Sequence, residues 1–141
     1  MTSGLYFAYG SNMDPEQMDA RCPDARALGQ AFLADWEMHI GIRGVATVVE
    51  SPGSLTWGVL WELSPSDEQS LDHYEGVAAG RYRREILTVQ SPESAHAALI
   101  YIEEFVGDGD PLPIYLQRIL NGARAFDLPE DYCAKLARLG R

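Results

Sequence analysis

The apolar and polar positions of this chain divide it into short extended stretches followed by helical ones. Leu5 to Ala8 is a brief apolar run that stops before Gly10, the mark of a buried strand ending in a tight turn. Asp14 and Pro15 predict the cap and first residue of a short helix running towards Arg21, ended by Pro23. Ala25 to Ile42 is mostly extended, with Phe32, Leu33, Trp36, Met38 and Ile40 as its apolar members. Its alternation is imperfect from Phe32 on, so a bend or bulge is expected there. Val45 to Val49 is β-branched and strand-like, and Ser51-Pro52-Gly53 reads as a turn. Leu55 to Leu63 is a hydrophobic strand whose interior Gly58 predicts a bulge or the close approach of another group.

Ser64-Pro65-Ser66-Asp67 carries a relaxed capping box and predicts a helix to about Tyr74, stopping near Gly76. Arg83 to Gln90 and Ala97 to Glu103 read as two more strands. Pro111 and Pro113 introduce a helix from Ile114 to about Phe126, with an apolar face of Leu116, Ile119, Leu120 and Ala123. Pro129 starts a last helix ending near Leu139. The strands do not alternate regularly with crossover helices, which argues against a doubly wound parallel sheet. The pattern predicts an α+β fold: a small, mostly antiparallel, curled β-barrel of five to seven strands surrounded by three or four helices. The 141 residues suit one domain, 1–141, with a single core.

Composition narrows the function. The chain has 21 acidic and 11 basic residues, a net charge of −10. So acidic a surface argues against binding a nucleic-acid backbone, which needs clustered Lys and Arg. Lys135 is the lone lysine, so a polybasic membrane patch is also missing. No apolar run approaches a membrane span, and the N-terminus lacks the pattern of a secretory leader. Cys22 and Cys133 follow no metal-ligand spacing, and His39, His73 and His96 are scattered. The expectation is a cytoplasmic protein with no metal site.

Two places could carry chemistry. Gly10 can take backbone angles closed to other residues, so N–H groups there can face an anionic or polarised oxygen, and Ser11 and Asn12 add side-chain partners. The same residues also suit an ordinary loop. Glu75 ends a helix just before Gly76. The helix C-terminus disfavours a second negative charge, and burial acts the same way, so this carboxyl could be a base poised near neutrality. A solvated Glu beside a C-cap glycine is the plainer alternative. No Gly-x-Ser-x-Gly elbow, Ser-His-Asp set or phosphate-binding loop is present.

Tyr9-Gly10-Ser11-Asn12 after an apolar strand resembles the N-terminal signature of the γ-glutamylcyclotransferase-like superfamily, which includes the AIG2-like proteins. The middle strands, Gly44 to Val48, Ser51-Pro52-Gly53 and Trp57 to Trp61, are similar too. Leu71-Asp72, Glu75-Gly76-Val77, Gly80 and Tyr82 resemble the segment bearing that family's catalytic Glu. Tyr115-Leu116, Gly122-Ala123 and Leu128 to Tyr132 resemble its C-terminal helical signature. The resemblance spans roughly residues 5 to 137.

The resemblance implies a pocket at the end of the first strand and a cofactor-independent enzyme, a lyase or acyltransferase associated with glutathione metabolism. Its substrate would be a small γ-glutamyl compound whose own α-amino group attacks its γ-carbonyl, releasing 5-oxoproline. Glu75 would be the general acid/base, with Tyr6, Tyr9, Gly10, Ser11, Asn12, Tyr82 and Tyr101 binding substrate. Arg43, Arg81, Arg83 and Arg84 are candidates for a substrate carboxylate. The segments Ala78 to Arg84 and Glu103 to Asp110 are expected to line the leaving side. Rivals on the same scaffold are an isopeptide or γ-glutamylamine cyclotransferase, a biosynthetic deprotecting enzyme, and a non-catalytic binding module.

Overall fold

A computed structural model of the protein describes residues 4–139. The expected domain span of 1–141 extends past these at both ends. Five strands close into a barrel: β1 (Gly4–Ala8), β2 (Arg26–Ile40), β3 (Ala46–Leu63), β4 (Arg83–Gln90) and β5 (Ala95–Ile102). Their order around the barrel is β1-β3-β2-β4-β5. All neighbours are antiparallel except β1 and β5, which meet in parallel at Tyr6 and Leu99. The strand count lies at the low end of the expectation, because β3 is one strand where two were expected.

The reason lies at Ser51-Pro52-Gly53. These residues do not reverse the chain. They form an excursion within β3, opposite a break in β2 where pairing jumps from Ala34–Leu55 to Trp36–Glu50. Asp35 takes a positive φ of 68° there, and its carboxylate accepts the Gly53 N–H at 2.9 Å. The irregularity expected in β2 is this bulge. Turn-forming residues here kink a long strand so that it can wrap the barrel.

Gly58 serves close approach. A Cβ at that position would overlap the Ala8 carbonyl and the Phe7 ring of β1. The missing side chain lets β1 lie tightly on β3, with Phe7 opposite Leu60 and Ala8 opposite Val59. Phe7, Leu60, Val59 and Ile100 are fully buried in the core. Trp61 is also buried, its ring edge-on to Phe126 at 5.7 Å.

Four helices surround the barrel: α1 (Pro15–Arg21), α2 (Pro65–Tyr74), α3 (Pro113–Ala125) and α4 (Glu130–Ala137). Asp14 caps α1 by accepting the Glu16 N–H. The capping box of α2 is complete: Ser64 Oγ accepts the Asp67 N–H at 3.1 Å, and Asp67 accepts the Ser64 N–H at 3.2 Å. Gly76 then turns the chain out of α2 with φ 63°. Helix α3 seats on the short 3-10 turn Ser11–Met13, because Gly122 offers no Cβ where the Met13 backbone lies. That contact fixes the turn at the end of β1, which forms one wall of a cavity.

Candidate active site

A cavity of about 350 Å³ opens at the end of β1, within the size range of small-molecule sites. Tyr6, Tyr9, Gly10, Ser11, Asn12, Glu75, Tyr82 and Tyr101 all line it, drawn together from β1, the end of α2, the start of β4 and β5.

The loop after β1 is held by its own side chains. Asn12 Nδ2 donates to the Tyr6 hydroxyl at 3.0 Å, while Asn12 Oδ1 accepts from Gln17 at 2.8 Å and Arg21 at 3.1 Å. Ser11 Oγ accepts the second contact from Gln17, at 2.7 Å. No histidine lines the cavity, so Ser11 has a hydrogen-bonding role and no partner to activate it. The Gly10 backbone is at φ −113° and ψ −139°, outside the ordinary helical and extended regions, though not left-handed. Gly10 also supplies space: a Cβ there would come within 2.5 Å of the Tyr115 hydroxyl. Among the described residues, the Gly10 and Asn12 N–H groups reach no backbone carbonyl.

Three tyrosines are anchored by their hydroxyls. Tyr9 donates to the Tyr101 carbonyl at 2.6 Å, and Tyr82 donates to the Ala46 carbonyl at 2.7 Å. Tyr101 donates to Asp72 at 2.6 Å, which turns its hydroxyl towards α2, and its ring meets Tyr6 edge-on at 5.7 Å. Burial raises the pKa of Tyr6, Tyr9 and Tyr82, and the Glu75 charge adds to the rise, so all three stay neutral. The cavity therefore presents phenol groups around one carboxyl.

That carboxyl belongs to Glu75, the C-cap of α2, whose N–H bonds to the Leu71 carbonyl at 2.8 Å. Its side chain is half-buried and makes no hydrogen bond or ion pair among the described residues. Burial pushes its pKa up to about 7; Arg21 and Arg43 pull it down, and Glu103 pushes it up. An unpartnered carboxyl that titrates near neutrality in a cavity can take a proton from a ligand and give it back.

Of the four candidate arginines, Arg43 and Arg81 line the cavity and the other two do not. Arg83 pairs with Glu85 at 3.1 Å, and Arg84 bridges Asp72 and Glu68 at 2.6 and 2.7 Å. The segment Glu103 to Asp110 is absent from the lining as well. It folds back on the β2–β3 connection, where Gly109 N–H bonds to Ile40 and Asp108 bridges Gly41. Its place is taken by the start of α3, with Leu112, Ile114, Tyr115 and Arg118.

Sequence reasoning did not single out Tyr115 or Arg21 for the site. The Tyr115 hydroxyl accepts the Ala46 N–H at 3.0 Å, and burial raises its pKa to about 12. Arg21 stacks over the Tyr74 ring at 4.5 Å. Tyr115 lies in the C-terminal motif, but a motif does not give the direction of a side chain. Arg21 carried no signal of its own.

The AIG2-like family model matches residues 56–136. The chain is 36% identical to γ-glutamylcyclotransferase of Bos taurus and 34% identical to that of Homo sapiens, covering 95% of this chain and 77% of each relative. A solved γ-glutamyl cyclotransferase structure superposes with a TM-score of 0.91 at 33% identity, covering 97% of this chain and 88% of that one.

Proposed function

The chain belongs to the AIG2-like family and is an enzyme of γ-glutamylcyclotransferase type, and from that premise we propose that Glu75 drives release of 5-oxoproline from a small γ-glutamyl compound. The observation that carries this is the Glu75 carboxyl itself, unpartnered in the cavity and raised to about 7.

The substrate's α-ammonium gives a proton to the Glu75 carboxylate. The freed amine attacks the γ-carbonyl carbon and forms a tetrahedral intermediate. Glu75 returns the proton to the departing nitrogen as the amide C–N bond breaks, and the second proton of the ring nitrogen passes to the freed amine, which leaves as an ammonium. The products are 5-oxoproline and a free amine or amino acid. Nucleophile, electrophile and leaving group all belong to the substrate, so the step consumes neither water nor a cofactor.

The loop after β1 is the matching half. The Gly10 and Asn12 N–H groups, which reach no backbone carbonyl among the described residues, can take the oxygen of the intermediate; one such donor is worth about 3 kcal/mol. Tyr6, Tyr9, Tyr82 and Tyr101 shape the walls that fold the glutamyl chain onto itself. Holding a reactive conformer can lower a barrier by about 7 kcal/mol. Cys22 and Cys133 are unpaired, which fits a reducing cytoplasm. No described helix is long and apolar enough to cross a membrane.

The test is the reaction run in 18O-labelled water. Unlabelled 5-oxoproline supports intramolecular attack. Release of 18O-labelled glutamate means water is the nucleophile and overturns the proposal.

A further inference from the structure

The cations of the cavity are not equivalent. Arg43 donates to Glu103 at 2.6 Å, and Arg118 donates to Asp14 and Glu16 at 2.6 and 2.7 Å. Both charges are already answered by carboxylates. Arg21 is half-buried, engaged by Asn12 and stacked on Tyr74. Arg81 is exposed, lines the same cavity, and has no carboxylate or hydrogen-bond partner for its guanidinium among the described residues.

Arg81 is nonetheless held in place. Its N–H bonds to the Gly76 carbonyl at 3.1 Å. Its stem packs over Gly76, leaving no room for a side chain there: a Cβ would lie 2.9 Å from Arg81 Cδ. Gly76 directly follows Glu75, and Tyr82, directly after Arg81, is pinned to Ala46. An unanswered cation on an anchored backbone thus lines the cavity, its stem packed on the residue next to the proposed base. In a protein of net charge −10, an anionic ligand needs such a local positive group to enter.

The mouth has a second unusual feature. Leu112 is 53% exposed and Ile114 is 73% exposed, and both line the cavity. Large aliphatic side chains left in water at a cavity rim suit an apolar ligand group.

We propose that Arg81 determines specificity on the leaving side: it takes the carboxylate of the departing amino acid, while Leu112 and Ile114 receive that residue's apolar side chain. This rests on the cyclisation reading above. Arg21, deeper and bound to the loop that faces the carbonyl, is left for the glutamyl half. A γ-glutamyl amine without the second carboxylate gives Arg81 nothing to hold. The reader of the leaving group is then a residue outside the acid/base and donor groups.

The experiment compares γ-glutamyl-leucine, γ-glutamyl-alanine and γ-glutamyl-isoamylamine, the last being the leucine compound without its carboxylate. Values of kcat and KM are measured for the wild type, Arg81→Met, Arg81→Lys and Ile114→Ser. The wild type is expected to prefer γ-glutamyl-leucine over the amine by about tenfold in kcat/KM, the scale of one charge-assisted hydrogen bond. Arg81→Met is expected to collapse that ratio through KM, and Arg81→Lys to restore part of it. Ile114→Ser is expected to lower the leucine-over-alanine preference and to leave the carboxylate preference in place. Turnover with a leucine-to-amine ratio near one, or a ratio unchanged by Arg81→Met, overturns this inference alone. No 5-oxoproline from any of the three compounds overturns the cyclisation reading, and this inference with it.

Discussion

The substitution Glu75→Gln should stabilise the protein at alkaline pH while removing its activity. Burial raises the Glu75 carboxyl from an ordinary 4.5 to about 7. Below about pH 4.5 the carboxyl is neutral in both folded and unfolded chains and costs nothing. As pH rises from about 4.5 to 7 the unfolded chain ionises freely, whereas the folded carboxyl, held away from water, keeps its proton until about 7. Stability falls across that window, because the folded state binds the extra proton. Each pH unit between the two values is worth about 1.4 kcal/mol, so the gap from 4.5 to about 7 sets a cost of about 3 kcal/mol, trimmed to about 2 kcal/mol by the solvent that reaches a half-buried group. Glutamine has the same shape and no charge. Urea unfolding followed by tryptophan fluorescence should therefore place Glu75→Gln about 1 M above the wild type at about pH 8.5, with the midpoints converging near pH 4. A difference equal at both pH values, or a destabilised variant at about pH 8.5, refutes the claim that Glu75 is ionised at a cost in the folded cavity.

Three further outcomes follow from the same structure. The kcat/KM of the wild type should fall as pH drops through about 7, with unit slope, because only the ionised Glu75 accepts the substrate's proton; a flat profile from about pH 5 to 8 contradicts it. Gly58→Ala should cost about 3 kcal/mol or more, since its methyl would overlap the Ala8 carbonyl and Phe7 ring; a wild-type urea midpoint would be the contrary result. Tyr9→Phe should cost about 1 to 2 kcal/mol by removing the 2.6 Å bond to the Tyr101 carbonyl, read as a lowered thermal midpoint.

What could be read in the sequence was what local chemistry specifies. The α2 helix announced its start through Ser64 and Asp67, which hold each other's backbone N–H groups, and its end through Gly76. Gly58 announced a close approach, and it lies under the Ala8 carbonyl. The residues gathered by family resemblance on β1, α2, β4 and β5 line one cavity. What stayed hidden depends on contacts distant in the chain. Ser51-Pro52-Gly53 has the composition of a hairpin turn, yet Asp35 across the sheet captures the Gly53 N–H and makes the segment a bulge. The Glu103 to Asp110 segment gave no sign that Gly109 would bond back to Ile40. That return lets α3 supply Leu112, Ile114 and Tyr115 to the cavity wall. For Gly10 the residue type was informative, but part of its reason was hidden: the turn also needs room for the Tyr115 hydroxyl.

The most direct test of Glu75 as the acid/base is 5-oxoproline release by wild type and Glu75→Gln, each at saturating γ-glutamyl dipeptide and about pH 8, with circular dichroism confirming that both are folded. Steady product is expected from the wild type and none above background from the variant, because an amide cannot carry the proton from the substrate's ammonium to its leaving nitrogen. A folded Glu75→Gln that turns over at near the wild-type rate would contradict it.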